Sequence, residues 1–318
     1  MSRPIARSRA WPAADARVVS ALSVQHIPGM QEQVDELIRI LDLEELDVNI
    51  FRGRSPDERR IRVFGGQVAG QALVAAGRTV GEDRVVHSLH AYFLRAGDPR
   101  IPILYEVDRI RDGKSFTTRR VVAIQRGHAI FHLSASFQVV EDGPRHQATM
   151  PEVAPPERSI TWNERIEARG ADMSAEMREW LLRPRPVDMR FVDTPPGADG
   201  APRQRIWIRA DGRLPDSPLL HQCVVAYASD MTLLDTATLP HGIHWNDPRY
   251  QMASLDHAMW FHHPVRADEW MLYDQESPAA SGARGLCTGN LFAIDGRLAV
   301  TVVQQGLIRP VGAAASGG

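Results

Sequence analysis

Residues 64–81 read FGGQVAGQALVAAGRTVG, and this stretch, with the four runs behind it, decides the fold. Its Ala, Leu, Val and Gln content favours a helix that Gly77 and Gly81 terminate. Small residues at 65, 66, 70, 72, 75 and 76 would let another backbone approach closely. Strand-like runs follow at 84–95, 101–111, 116–125 and 128–140, and Arg126-Gly127 links the last two as a tight turn. Along the final run Phe131, Leu133, Ala135, Phe137 and Val139 share one face, and His132, Ser134, Ser136 and Gln138 share the other. That alternation is the period of a strand with one buried face.

Beyond residue 218 the same order returns. Residues 219–234 form a second helix candidate, interrupted by Asp230 and closed by Pro240 and Gly242. Strand-like runs stand at 250–263, 269–276, 283–294 and 297–308, with Asp295-Gly296 as a hairpin signal. Ser88-Leu89 recurs as Ser254-Leu255, and Phe137-Gln138 as Val303-Gln304, both at an offset of 166. A shared offset and a shared element order imply an internal duplication of a helix packed on an antiparallel sheet. In that register Ser88 and Gln138 are the counterparts of Ser254 and Gln304. Prolines cluster between Gly143 and Pro218 and mark a connection, with one helical stretch at 173–183 and a strand at 203–210.

The bulk composition narrows the class. A chain of 318 residues suits about two domains. Its formal charge of −2 offers no basic excess for nucleic acid, so no such partner is expected. All but one of the 37 basic residues are arginine, Lys114 being the exception, and the skew extends over the whole chain. Cys223 and Cys287 can build neither a disulfide framework nor a zinc pattern, which makes a reduced, cytoplasmic setting the expectation. No apolar run reaches the length of a membrane span. The reading divides the chain into an N-terminal extension at 1–40, partly disordered, a first domain at 41–150, a linker and second domain at 151–310, and a flexible tail at 311–318.

Four segments carry a resemblance: FGGQVAGQAL at 64–73, YASDMTLLDTATLPHG at 227–242, SLDHAMWFHHP at 254–264 and VQQGLIR at 303–309. From about Leu41 to Pro310 the chain resembles the acyl-CoA thioesterase II family. The resemblance implies an α+β double hotdog fold: two repeats of a long helix, each wrapped by a curved antiparallel β-sheet, joined by a linker. It also implies hydrolysis of fatty acyl-CoA to free acid and CoA without metal or organic cofactor. Matched motif by motif, the implied catalytic residues are Asp230, Ser254 and Gln304. Hotdog sheets usually bury an edge or face against a copy, so a homo-oligomer, dimer or tetramer, is expected.

The chemistry agrees with those residue types. A thioester carbonyl is already electrophilic, so hydrolysis needs a positioned water and a home for the oxyanion. A carboxylate takes the water's proton, a hydroxyl and an amide orient it, and backbone N–H groups at a helix N-terminus can receive the negative charge. Each residue alone has a blander reading. Asp230 could be a cap, Ser254 an ordinary strand serine and Gln304 a satisfied buried amide. Their agreement across three motifs tips the balance.

The histidines at 241, 244, 257, 262 and 263 show no metal-ligand spacing. Adjacent strand residues leave on opposite faces, which separates His262 from His263 and excludes an Asp256–His257 dyad of the kind a hotdog hydratase or dehydratase would use. Arginines at 52, 54, 59, 60, 109, 111, 119 and 120 suit phosphate, yet read as a solvated surface, and none is assigned to CoA. Two other readings stand beside hydrolysis: the hydratase or dehydratase, and a catalytically silent acyl-CoA- or lipid-binding module.

Overall fold

The computed structural model describes residues 30–56, 62–168, 173–194 and 202–312. The first repeat comprises α1 (Met30–Leu41), β1 (Glu44–Asp47), β2 (Ile50–Gly53), α2 (Gly65–Gly77), β3 (Arg84–Phe93), β4 (Ile103–Asp112), β5 (Phe116–Gln125) and β6 (His128–Val139). A connection follows with β7 (Ile160–Thr161), α3 (Trp162–Ala168), α4 (Ala175–Leu182) and β8 (Val187–Val192). The second repeat has β9 (Arg203–Ala210), α5 (Pro218–Ser229), a 3-10 segment at Leu234–His241, β10 (Tyr250–Ser254), β11 (Asp256–Phe261), β12 (Met271–Ser281), β13 (Arg284–Ala293) and β14 (Leu298–Pro310).

All the strands belong to one antiparallel sheet, in the order β1-β2-β4-β5-β6-β3-β11-β14-β13-β12-β9-β8-β7, with β10 continuing β11 along β14. The repeats join where β3 pairs with β11, Ser88 opposite Trp260 and Tyr92 opposite Asp256. Around the joint the order β4-β5-β6-β3 is mirrored by β12-β13-β14-β11. This is the α+β double hotdog that the resemblance implies.

Both central helices are apolar on nearly every side, so they can only be core helices. In α2 every residue from Gly66 to Ala76 is buried, and most of α5 is buried as well. The two run antiparallel in direct contact, Gly77 beside Leu219, Gly70 beside Cys223 and Gly66 beside Tyr227. A Cβ placed on Gly66 would stand 2.2 Å from the Tyr227 carbonyl oxygen, and one on Gly70 would stand 3.1 Å from that of Cys223. The glycines are there because backbone packs on backbone.

Three expectations change. Helix α1 begins at Met30, inside the stretch read as an extension, and its Val34, Leu37 and Leu41 are buried in the main core. Their spacing of three and four residues makes one helical stripe, which buries against the body of the first repeat. Gln71 of α2 donates to Ile40 O at 2.7 Å and so ties the end of α1 down. Residues 1–29 and 313–318, the rest of the expected extension and most of the tail, lie outside the described residues. Second, Arg119 is neither surface nor phosphate ligand. Its guanidinium, 1% exposed, donates to Thr79 Oγ1 and O just past the end of α2, to the Arg111 and Thr118 carbonyls, and to Asp112 Oδ1. A cation there also complements the negative end of the α2 dipole. Third, the run at 250–263 is two strands with a break at Leu255.

The connection after β6 is strapped to the second repeat. Gln147 donates to Gly296 O at 2.9 Å and accepts from Leu298 N at 3.1 Å. Trp207 Nε1 donates to Ala154 O at 2.8 Å, and Met150 and Val153 pack on Trp207, Leu272 and Phe292.

The helix contact yields a test. Gly66→Ala forces a methyl into a backbone carbonyl that cannot step aside, and should cost about 1–3 kcal/mol. Gly143→Ala, with nothing within 4 Å of the added carbon, should be neutral. Urea titration of the two variants measures both; equal midpoints would show that the helices can separate at no cost.

Candidate active site

Asp230 closes α5, with φ −85° and ψ −1°. A carboxylate at a helix C-terminus sits against the negative end of the dipole, which is the unfavourable end for it. The antiparallel neighbour supplies the remedy. A Cβ on Gly65 would lie 2.5 Å from Asp230 Oδ2, so the carboxylate stands against the first turn of α2. No side chain caps that turn at Phe64, and the first intrahelical bond runs from Val68 N to Phe64 O at 3.3 Å. Ahead of it, the N–H groups of Gly65, Gly66 and Gln67 have no intrahelical acceptor. The second repeat thus presents its carboxylate to the positive helix end of the first.

Ser254 is turned inward by the break at Leu255. On β11 the inward residues are His257, Met259 and Phe261, so an unbroken strand would have placed Ser254 on the outer face with Asp256, Ala258 and Trp260. The extra residue reverses the alternation and lets Ser254 pair with Gly306 on the inner face. Leu255 N donates to Gln305 O at 2.9 Å, and Gln305 N donates to Asp256 Oδ1 at 2.7 Å, which together hold the break. Gln304 lies mid-strand in β14 on the buried face with Val300 and Val302.

The three residues converge. Ser254 Oγ donates to Asp230 Oδ1 at 2.8 Å, and Gln304 Nε2 donates to the same oxygen at 2.5 Å. A carboxylate accepts only, so it fixes the amide with its NH2 inward. Gln304 Oε1 is then a fully buried acceptor with no partner among the described residues, which suits a water. Both donors use Oδ1, leaving Oδ2 against Gly65.

The surroundings hold this geometry and were not foreseen. His257 Nε2 lies 2.8 Å from Ser229 Oγ, which itself donates to Ala226 O at 3.0 Å, so the imidazole is the donor. Burial pushes the His257 pKa below its ordinary value despite the opposing pull of Asp230 and Asp256. Neutral His257 faces inward and Asp256 does not, so the pair forms no dyad. Tyr273 OH donates to Ser229 O at 3.1 Å. Just past Asp230, Thr232 Oγ1 accepts from Gln275 Nε2 at 2.7 Å, and Thr236 Oγ1 donates to Gln275 Oε1 at 3.0 Å. The doublet Gly65-Gly66 was visible in the sequence as a close-approach signal, whereas the partners of Ser229 and Gln275 had none.

The first repeat is a different matter. Its final hairpin turns at Gly127 and the second at Gly296, an offset of 169 rather than 166. Burial along β6 matches β14 only at that offset, Leu133 with Val302 and Ala135 with Gln304. The register of β3 shifts between Val86 and Ser88, as that of β10–β11 does at Leu255, which sets Val86 opposite Phe137 where the second repeat has Ser254 opposite Gly306. Ser88 and Gln138 are therefore not the counterparts of Ser254 and Gln304; Val86 and Ala135 are. The shared dipeptides misled because an odd offset changes which face each residue takes.

Comparison with known proteins gives the family of the chain. A family model described as acyl-CoA thioesterase matches residues 175–307, and one described as acyl-CoA thioesterase N-terminal domain matches residues 55–138. The chain is 46% identical over 281 residues to acyl-coenzyme A thioesterase 8 of Homo sapiens, covering 85% of this chain and 88% of that protein. It is also similar to the crystal structure of an acyl-CoA thioesterase II from Mycobacterium marinum, with 44% identity, a TM-score of 0.73, and coverage of 87% of this chain and 100% of that one. A protein with a hot dog fold from Alicyclobacillus acidocaldarius shares the architecture at 18% identity and a TM-score of 0.67, covering 86% of this chain and 98% of its own.

The half-buried carboxylate has neutral donors on Oδ1, and among the described residues no ion pair is made to it. Asp230→Asn keeps an acceptor for both donors and removes a charge, so the variant should melt at or above the wild-type temperature. Calorimetry checks this, and a loss of more than about 1 kcal/mol would mean that the charge holds the fold together.

Proposed function

This chain belongs to the acyl-CoA thioesterase family and hydrolyses acyl-CoA thioesters, and from that premise we propose that Asp230, Ser254 and Gln304 form its one hydrolytic site. The observation that supports this most directly is the convergence of Ser254 Oγ and Gln304 Nε2 on Asp230 Oδ1, beside an unpartnered Gln304 Oε1. A water bound to Asp230 Oδ2 and Gln304 Oε1 is held with an oxygen lone pair free to attack. Asp230 takes one proton as the water oxygen adds to the thioester carbon. The carbonyl oxygen becomes an oxyanion and faces the N–H groups of Gly65, Gly66 and Gln67, which need no reorganisation to receive it. As the tetrahedral adduct collapses, the C–S bond breaks and the thiolate recovers the proton from Asp230. Free acid and CoA leave, and the carboxylate is restored.

In this scheme the site is divided between the repeats, with the base and its orienting groups from the second and the electrophilic helix end from the first. The first repeat has no counterpart site, since Val86 and Ala135 stand where Ser254 and Gln304 would be, and α2 carries neither Asp nor Glu. The hydratase reading lacks its dyad. The silent-module reading leaves two polar groups converging on a half-buried carboxylate for no purpose. We extend the proposal to a first domain near 41–150, taking in α1, a second near 151–310, and a cytoplasmic homo-oligomer, dimer or tetramer. Two free, buried cysteines, the exposed Tyr92 on the outer face of β3 and the exposed Leu94 just past its end support that extension. Light scattering of the purified protein tests the assembly.

Release of thiol from acyl-CoA, followed with a thiol reagent, tests the mechanism. Asp230→Asn should lower kcat by about 100-fold or more with little change in KM, because the amide cannot accept the proton. Ser254→Ala should cost less than Asp230→Asn, since another water can replace a hydroxyl that only orients. Near-wild-type kcat in folded Asp230→Asn would remove the base from the scheme.

The division of labour between repeats has its own test. Gln304→Ala should lower kcat substantially, whereas Gln138→Ala should stay within a few-fold of wild type. Since Ala135 and not Gln138 stands at the place of Gln304, comparable losses in both folded variants would mean that a polar group of the first repeat acts in the reaction from another position, and the single-site assignment would fail.

A further inference from the structure

The catalytic half contains a segment that the other half lacks. In the first repeat α2 ends at Gly77 and β3 begins at Arg84, whereas between α5 and β10 the chain runs from Asp230 to Arg249 and includes the 3-10 segment Leu234–His241. A 3-10 run of that length is uncommon, because its hydrogen bonds are poorer than those of an α-helix. Something about this position favours it.

The sheet beneath it is floored with glycine. Gly306 pairs with Gly285 across β13 and β14. A Cβ on Gly306 would stand 2.3 Å from Leu234 Cδ2, and one on Gly285 would stand 2.5 Å from the Cβ of Ala237. At the same place in the first repeat Phe137 pairs with Thr117, both 2% exposed, and the strands fill their own inner face. Glycine within strands costs stability and marks a close approach. The second repeat has given up its own side chains here and seats Leu234 instead.

Leu234 also stands next to the chemistry. It lies four residues beyond Asp230, and the glycine it covers is the cross-strand partner of Ser254 and the next inward residue after Gln304, whose Oε1 is buried without a partner. Yet Leu234 is only half-buried, so one flank stays open. If the carbonyl carbon is within reach of a water on Asp230, the first atoms of the acyl group lie a bond length or two away. They are the part of the substrate that this leucine would touch.

On the reading that this is a thioesterase site, we propose that Leu234 is the residue that sets how wide an acyl group the site accepts immediately beside the thioester carbonyl. It selects on width near the reacting carbon, and the far end of a long chain does not meet it. Shortening the side chain uncovers the glycine floor and makes room for branching at the α-carbon. A structural plug would behave differently, since losing it would impair all substrates alike.

The test compares heptanoyl-CoA with cyclohexanecarbonyl-CoA, which have the same number of acyl carbons but differ in width at the α-carbon. For each, kcat/KM is measured by thiol release on the full chain. In Leu234→Ala the ratio of cyclic to linear substrate should rise by about tenfold or more, the size of pocket effects at the level of a methylene or two. Leu234→Val should move the ratio in the same direction by less, and it decides the matter should the alanine variant fail to fold. A ratio within about threefold of wild type in the folded variants, or parallel losses on both substrates, overturns the proposal. If the wild-type protein releases thiol from neither substrate nor from a longer linear acyl-CoA, the thioesterase reading fails and takes the proposal with it.

Discussion

The carboxylate of Asp230 ends one helix and rests on the beginning of another, and the remainder of the structure is organised around that contact. At its own helix terminus the charge is opposed by the dipole, so it is tolerated only if a second helix end comes close enough to offset it. The approach is possible because Gly65 and Gly66 carry no side chain where Asp230 Oδ2 and the Tyr227 carbonyl stand. Antiparallel packing of α2 on α5 then aligns the end of one with the start of the other. The shared sheet, closed by the β3–β11 pairing, keeps the two helices from sliding.

Duplication explains the frame, and departures from it explain the site. The two repeats agree in strand order and in the register shift that β3 shows against β6 and β10–β11 against β14, yet the three converging side chains belong to the second. Where the first repeat has Val86, Ala135 and Phe137, the second has Ser254, Gln304 and Gly306. Those exchanges remove apolar surface from an inner face and would weaken a lone hotdog. The inserted 3-10 segment restores part of that packing through Leu234 and Ala237. Its buried amide and hydroxyl bonds, from Gln275 to Thr232 and Thr236, keep the inserted chain in one place. On the proposed assignment the second repeat carries the side chains of the site, and the first contributes scaffold and a helix end.

Several groups near the site are arranged at a cost that packing alone does not explain. Gln304 Oε1 and His257 Nδ1 are buried acceptors without partners among the described residues, and each such group costs roughly 1–3 kcal/mol when unsatisfied. The Asp230 charge is half-buried among Phe93, Tyr227 and Met231, which pack against the core. Neutral His257 is held by Ser229 beside this charge without neutralising it. Sites poised to bind and activate water commonly carry such unresolved polarity, because a site satisfied in the resting protein has nothing left to offer a substrate.

Much of this was readable in the linear chain. The helical apolar run at 64–81, the alternation at 128–140, the hairpin dipeptides and the repeated order of elements determined a duplicated helix packed on an antiparallel sheet, because helix and strand periodicities are local properties, and the resemblance named that arrangement a double hotdog. The resemblance in three motifs singled out Asp230, Ser254 and Gln304, although no feature of the residues taken one at a time did so. The tail of α1 was legible in principle as the stripe Val34, Leu37 and Leu41, but it was too short to stand out beside an arginine-bearing N-terminus. What only the tertiary structure decided was facing and proximity. The break at Leu255 turns Ser254 inward, the offset of 169 rather than 166 makes Ala135 the true counterpart of Gln304, and the helix pairing brings Gly65 to Asp230. One inserted residue reverses every side chain beyond it in a strand, and a helix end acts on a charge only across a contact between segments far apart in the chain. Neither effect leaves a mark in local composition or periodicity, so both had to be decided by the folded chain.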